Sequence, residues 1–171
     1  NDHLLLIPGA SGNSEMANLS GLQAQSLLQG VFEAYADLDV VLIDMAAGLS
    51  ESGLAFLRAC DLKVVVVQDE PASLADAYGL IKLQKRENRM NDIVLLPNRV
   101  PSEAEGRRLF DKLNSVCMKF LEEPVRYIQS IEEDRLILET GRSRKNLFLT
   151  HPQSRAARIL GGIAENLIGA D

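Results

Sequence analysis

Apolar residues in this chain fall into two arrangements. Short unbroken runs occupy residues 4–7 (Leu-Leu-Leu-Ile), 40–43 (Val-Val-Leu-Ile), 64–67 (four valines) and 93–96 (Ile-Val-Leu-Leu). Runs of this length, bounded by turn formers, predict strands, and those at 40–43, 64–67 and 93–96 read as buried, as in a parallel sheet covered by helices. Between the runs, apolar residues recur at helical spacing. Ser20 caps a stripe of Ala24, Leu27, Leu28, Val31, Phe32 and Tyr35, and Ser50 with Glu51 starts a second helix through Leu54, Leu57 and Cys60. Ser73-x-x-Asp76 is read as a cap for Leu74, Ala77, Tyr78 and Ile81. Ser102-x-x-Glu105 opens the longest stripe, Leu109, Phe110, Leu113, Val116, Cys117, Phe120 and Leu121.

The last third is less regular. Residues 125–131 alternate enough for a further strand, and Glu132-Glu133-Asp134 is read as the start of a short helix through Leu136 and Leu138, stopped at Gly141. Thr150, with Pro152 in the first turn, is expected to start a final helix carrying Ala156, Leu160, Ile163, Ala164 and Leu167. Strands alternating with helices define an α/β protein with a mostly parallel sheet and helices on both faces, spread over one domain, residues 1–171.

In such a fold, polar groups at the carboxyl ends of strands gather along one edge, where ligands bind. Ser11, Asp44, Asp69 and Asn98 are those groups here. Asp44, followed by small residues and Gly48, stands where P-loop nucleotidases place the acid that faces Mg²⁺, although a strand-ending aspartate also simply caps a turn. Pro8-Gly-Ala-Ser-Gly12 forms a glycine turn but not a Walker A loop, because no lysine precedes Lys63.

Composition narrows the class. The 171 residues are 46% hydrophobic and carry a net charge of −6, which offers no field to draw nucleic acid, and no run approaches membrane-spanning length. Cys60 and Cys117, isolated at apolar helical positions, read as buried thiols of a reducing compartment, hence a cytoplasmic protein. His3 and His151 have no partner at catalytic spacing. Arg142, Arg144 and Lys145 form a basic patch that reads as a solvated loop or a partner surface. The start at Asn1, without Met or leader, is read as a piece of a longer protein.

Several stretches together carry a family resemblance. Asp39-Val-Val-Leu-Ile-Asp-Met-Ala-Ala-Gly48, Ser52-Gly-Leu-Ala-Phe-Leu-Arg-Ala59, Val65-Val-Val-Gln-Asp-Glu-Pro-Ala-Ser-Leu-Ala-Asp-Ala-Tyr78, Glu105-Gly-Arg-Arg-Leu-Phe110 and Pro152-Gln-Ser-Arg-Ala-Ala157 resemble the FlhG/FleN flagellar number regulators of the MinD/ParA ATPase group. The resemblance implies an ATPase that dimerises around two ATP molecules with Mg²⁺. It also implies reversible membrane association at a cell pole and control of flagellar number with the GTPase FlhF and flagellar transcription regulators. By motif, Asp44 would be the catalytic Walker B aspartate holding Mg²⁺ through water, Gly48 the switch II glycine sensing the γ-phosphate, and Asn98, with Arg99 beside it, the contact to adenine.

Departures from the family pattern set further expectations. Met45 replaces the usual switch threonine, and Glu132 stands near a position where a proline commonly lines the adenine pocket. The Walker A loop, its lysines and the switch I aspartate have no counterpart, and no membrane-binding amphipathic helix is evident after Leu167. Two readings compete: the carboxyl-terminal part of such an ATPase, or a free-standing degenerate relative that only binds proteins. Either way the sheet lacks its amino-terminal strands. The runs at 40–43 and 64–67 are then expected to pair directly in parallel, the opened edge to promote self-association, and this chain alone to bind no ATP.

Overall fold

The computed structural model describes residues 4–8, 19–45 and 50–169, which fall into two compact units, Asn1–Asp61 and Leu62–Asp171. In the first unit, helix α1 (Gly21–Ala34) begins at Ser20, whose hydroxyl accepts from Gln23 N at 3.3 Å while the Gln23 side chain accepts from Ser20 N at 2.9 Å. These two bonds satisfy donors that a helix start otherwise leaves orphaned. Helix α2 (Glu51–Ala59) begins at Ser50, which accepts from Gly53 N, and packs on α1. Of the α1 stripe only Ala24 and Leu28 are buried.

The second unit holds the sheet. Strand β1 (Lys63–Val67) pairs in parallel with β2 (Ile93–Val100) over five residues, from Lys63 opposite Ile93 to Val67 opposite Pro97. On the other edge of β2 lie β3 (Arg126–Tyr127) and β4 (Ile131–Glu132), also parallel to it. Helices α3 (Pro71–Arg86) and α4 (Glu103–Leu121) close one face around Val65, Val67, Ile81, Ile93, Leu95, Leu109, Leu113 and Cys117. Strand residues alternate faces, so Val94 belongs to the opposite side. There it lines a cavity of about 260 Å³ with Asn166 and Leu167 of α7 (Arg155–Ile168), which puts α7 on the second face. Between them α5 (Arg135–Arg142) and the four-residue α6 (Leu147–Thr150) build a smaller core from Leu147, Ala156 and Ala157, with Leu136, Ile137 and Leu160 against it.

Several expected elements differ. Residues 40–43 form no strand: they enter no ladder among the described residues, and Val40, Val41 and Leu42 are exposed, Leu42 by 87%. The strand expected at 40–43 is therefore not formed. The run at 4–7 likewise carries no strand and is exposed throughout. An apolar run becomes a strand only where another backbone meets its N–H and C=O groups, and β2 meets those of β1. Even β1 is not buried on both faces, since Val66 is 51% exposed.

The expected strand 125–131 is two two-residue pieces separated by residues 128–130, and Glu132 lies in β4 rather than opening a helix. Helix α5 starts one turn later, capped by Asp134, which accepts from Leu136 N at 2.8 Å. The cap of α3 is Glu70 with Pro71 in the first turn, and Ser73 instead accepts from Gln68 N at 3.0 Å. Thr150 ends α6 rather than starting the last helix, whose cap is Ser154, accepting from Ala157 N at 3.1 Å. The strand read as 93–96 runs on through Pro97 to Val100, and that extension shapes the candidate site.

Candidate functional site

Strand β2 passes Asn98 and then admits one extra residue. Asn98 pairs with Ile131 and Val100 with Glu132, so two steps on β2 match one on β4 and Arg99 is the bulged residue, with φ of 56°. A bulge bends the strand locally and turns its side chains to new directions, and left-handed backbone at a non-glycine residue costs about 1 kcal/mol or more. Neighbouring bonds hold it there. Asn98 Oδ1 accepts from Arg99 N at 3.0 Å, Val100 O accepts from Glu133 N at 2.9 Å, and the Arg99 guanidinium faces the Glu133 carboxylate at 3.5 Å. With its oxygen occupied, the half-buried Asn98 keeps its amide nitrogen as a donor.

Beside the bulge lies the amino terminus of α4, the partially positive end of a helix and a natural place for an anion. The protein fills that place itself. Ser102 Oγ accepts from Glu105 N at 3.3 Å, and the Glu132 carboxylate accepts from Glu103 N at 3.2 Å and from the Arg155 guanidinium. Glu132 thus ties β4 to the first residues of both α4 and α7. Its charge is compensated rather than free to repel a ligand. The Glu103 carboxylate in turn accepts from the Tyr127 hydroxyl, which also sits 2.8 Å from Ser130 Oγ, while Arg107 stacks over the Tyr127 ring at 4.5 Å. Burial first, then the adjacent Glu103 carboxylate, push the Tyr127 hydroxyl up to about 12, so it stays a protonated donor.

The opposite end of the sheet holds the first lysine of the chain. Lys63, buried at the amino end of β1, meets Asp92 at 3.3 Å, and Arg89 Nε meets the same carboxylate at 2.7 Å. The Arg89 hydrogen bond is the main cause that holds Asp92 below the usual carboxylate range, opposed by partial burial and helped by Lys63. Because β1 is five residues long, Lys63 lies about 13 Å from the strand's carboxyl end, at roughly 3.3 Å per step.

Of the four polar groups expected at one edge, the structure brings two together. Val67 is level with Pro97, so Asn98 lies in β2 one step beyond the paired segment and Asp69 two residues beyond the end of β1. Asp69 is exposed and bonded to Lys112 at 3.2 Å. Asp44 is exposed in the first unit, outside any strand, and Ser11 and Gly48 lie outside the described residues. No group of three or more side chains suited to a metal ion occurs among the described residues. The Glu103–Tyr127 and Glu132–Arg155 bonds were invisible in sequence, since their partners stand 24 and 23 residues apart and no local period links them.

This parallel sheet with helices on both faces is the α/β fold of MinD, as comparison with solved structures shows. The chain superposes on the MinD cell division protein of Aquifex aeolicus with a TM-score of 0.68 at 18% identity, covering 88% of this chain and 61% of that one. A ParA family ATPase from Chlorobium tepidum gives 0.66 at 21% identity, covering 92% and 61%. In sequence, the chain is similar to an antiactivator and to a flagellum site-determining protein. It is 35% identical over 162 residues to the antiactivator FleN of Pseudomonas aeruginosa, covering 95% of this chain and 58% of that protein. It is 29% identical over 166 residues to the flagellum site-determining protein YlxH of Helicobacter pylori, covering 96% and 56%. The chain thus spans somewhat over half the length of these relatives. No family model matches it.

Proposed function

We propose that this chain is part of a MinD-like regulator of flagellar number of the FleN type, and that these 171 residues alone neither bind nor hydrolyse ATP. The observation that carries the first half is the 35% identity to FleN along nearly the whole chain. In the complete protein, Asn98 would offer its amide to the adenine edge with Arg99 beside it, Gly48 would sense the γ-phosphate, and Asp44 would hold Mg²⁺ through water. ATP with Mg²⁺, a homodimer, a FlhF-type GTPase and flagellar transcription regulators belong to that protein, in the cytoplasm or at the membrane of a cell pole.

The second half rests on phosphate chemistry. A triphosphate needs several charge-assisted donors, supplied in P-loop ATPases by a Walker A backbone, lysine and Mg²⁺. The residues present do not fit that group. Lys63 is committed to Asp92 at the wrong end of the sheet, and the α4 amino terminus is occupied by Glu132. Three missing bonds of about 1.5–3 kcal/mol each remove roughly 5–9 kcal/mol, enough to turn a micromolar site into an undetectable one. Calorimetry of the chain with Mg·ATP is expected to give no binding heat, and a dissociation constant below about 100 μM defeats this half. Deleting the gene that encodes the chain is expected to raise the number of flagella per cell; an unchanged count defeats the first half.

A further inference from the structure

Charge is divided unevenly between the two units. Residues 1–61 hold eight Asp or Glu and a single base, Arg58, a net −7, while residues 62–171 hold the remaining 16 acids and 17 bases, a net +1. Within the acidic unit, α1 and α2 enclose a groove of about 400 Å³ lined by Leu28, Phe32 and Ala59 and by Gln25, Gln29 and Glu33. The three polar residues recur at i, i+4 and i+8 as one row along α1, with Leu28 and Phe32 as the next row. Gln29 Nε2 donates to Glu33 Oε1 at 2.7 Å. Glu33 is the only charged residue of α1, and it stands in the last turn, where the helix already carries partial negative charge. Asp37 follows four residues later, and Asp61 lies two residues past Ala59, the last residue of α2. Among the described residues, none of Glu33, Asp37 and Asp61 enters an ion pair.

We propose that this groove docks a cationic amphipathic helix of a partner protein. Its apolar side chains at i, i+4 and i+7 rest on Leu28, Phe32 and Ala59, and its Lys or Arg side chains meet Glu33 and Asp37. Length, polarity and charge together select that occupant. From Gln25 to Glu33 the α1 wall spans about 12 Å, at roughly 1.5 Å per residue, which matches two turns of a helix laid into the groove. Phe32 is 45% exposed beside the buried Leu28, so apolar area is left for a partner to cover. The uncompensated carboxylates and the carboxyl end of α1 set a negative potential, which draws a cation in and turns an anion away. A second copy of the chain would bring the same acidic surface, with Glu33 facing Glu33 across a two-fold contact, and is disfavoured for that reason. None of the lining residues is among Asp44, Gly48, Asn98 and Arg99, to which nucleotide and Mg²⁺ are assigned.

The test uses the whole chain without nucleotide and a fluorescently labelled peptide of about 14 residues, with Leu on one helical face and Lys on the other. Two further peptides serve as controls: the same pattern with Glu in place of Lys, and the Leu/Lys composition with its helical period broken. Anisotropy is expected to show binding of the periodic Lys peptide alone, weakening as salt rises. Phe32→Ser and Glu33→Lys are each expected to weaken it about tenfold or more. Glu165→Lys makes the same charge change on α7, outside the lining residues, and is expected to leave affinity within about twofold. Glu33→Lys sets a cation at the negative end of α1, so its thermal stability should hold or rise, and it decides the matter even where Phe32→Ser unfolds. Failure of the periodic Lys peptide to bind, equal binding of either control peptide, full affinity in Glu33→Lys, or an equal loss in Glu165→Lys overturns the proposal. None of these outcomes bears on ATP or on the number of flagella.

Discussion

The two units use the same kind of apolar run to opposite ends. Residues 93–96 and 40–43 are each four consecutive aliphatic side chains, yet the first lies buried in the centre of a sheet and the second is exposed without a ladder. Their composition does not explain the difference. In the second unit β2 is held by β1 on one side and by β3 and β4 on the other, so its amides and carbonyls are used and its side chains meet α3 and α4. The first unit offers two helices packed on each other and no described strand. Burial of a run depends on its neighbours, and a strand pattern is a conditional instruction.

That contrast is open to direct attack. Truncating Leu95, fully buried in the main cluster, removes apolar contacts and leaves a cavity, so Leu95→Ala is expected to cost about 3–4 kcal/mol in urea unfolding. The matching Leu42→Ala, at a side chain 87% exposed, is expected to change stability by less than about 0.5 kcal/mol. Comparable losses at the two sites would show that the runs are equivalent after all. Glycines give the next pair. A Cβ on Gly106 would stand 1.9 Å from Ser130 Oγ and 2.5 Å from Ser130 Cβ, and Ser130 is fully buried. The backbone must then shift, and Gly106→Ala is expected to destabilise by about 2–3 kcal/mol. Nothing stands within 4 Å of a Cβ on Gly30 in α1, where alanine's better helix propensity should add about 0.5–1 kcal/mol. Opposite signs in thermal unfolding are the expected result, and a shared sign breaks the pair.

Acid sensitivity should also sit in the second unit. Asp92 is held below its ordinary carboxylate value in the folded chain, so its contribution is fully present above the unfolded value near 4 and is lost as pH falls through the lower folded value. Below about pH 4 the wild-type chain should therefore lose stability more steeply than Asp92→Asn, with the two curves parallel at higher pH. Equal slopes in urea titrations across that range would remove the role given to this carboxylate. A small effect is expected at Arg99. Replacing it by Gly relieves left-handed backbone, offset by the lost Glu133 contact, for a net change within about 1 kcal/mol.

Much of this architecture was legible before any coordinates. Ser20, Ser50 and Ser102 capped the helices they were assigned, because a cap is a bond between residues three apart and both ends stand in the same window. The β1 and β2 runs and the long α4 stripe were legible for the same reason. Residues 125–132 were not. There the geometry is set by the bulge at Arg99, a property of two strands compared, which neither strand displays alone. At the candidate site, Asn98 and Arg99 drew notice in the sequence because a polar pair ends an apolar run. Of the carboxylates that shape their surroundings, Glu103 and Glu133 looked like ordinary helix-start acids, and Glu132 stood out only as a departure from the family pattern.

The close approach of Gly106 to Ser130 also constrains how this sequence can drift. A side chain at position 106 is tolerable only if position 130 shrinks first, so Ser130→Gly opens the door to Gly106→Ala while the reverse order passes through a strained intermediate. That first step has its own toll, because Ser130 shares the Tyr127 hydroxyl with Glu103. Substitutions at 106, 130, 127 and 103 should accordingly travel as a set among descendants of this chain, in an order that begins at the serine.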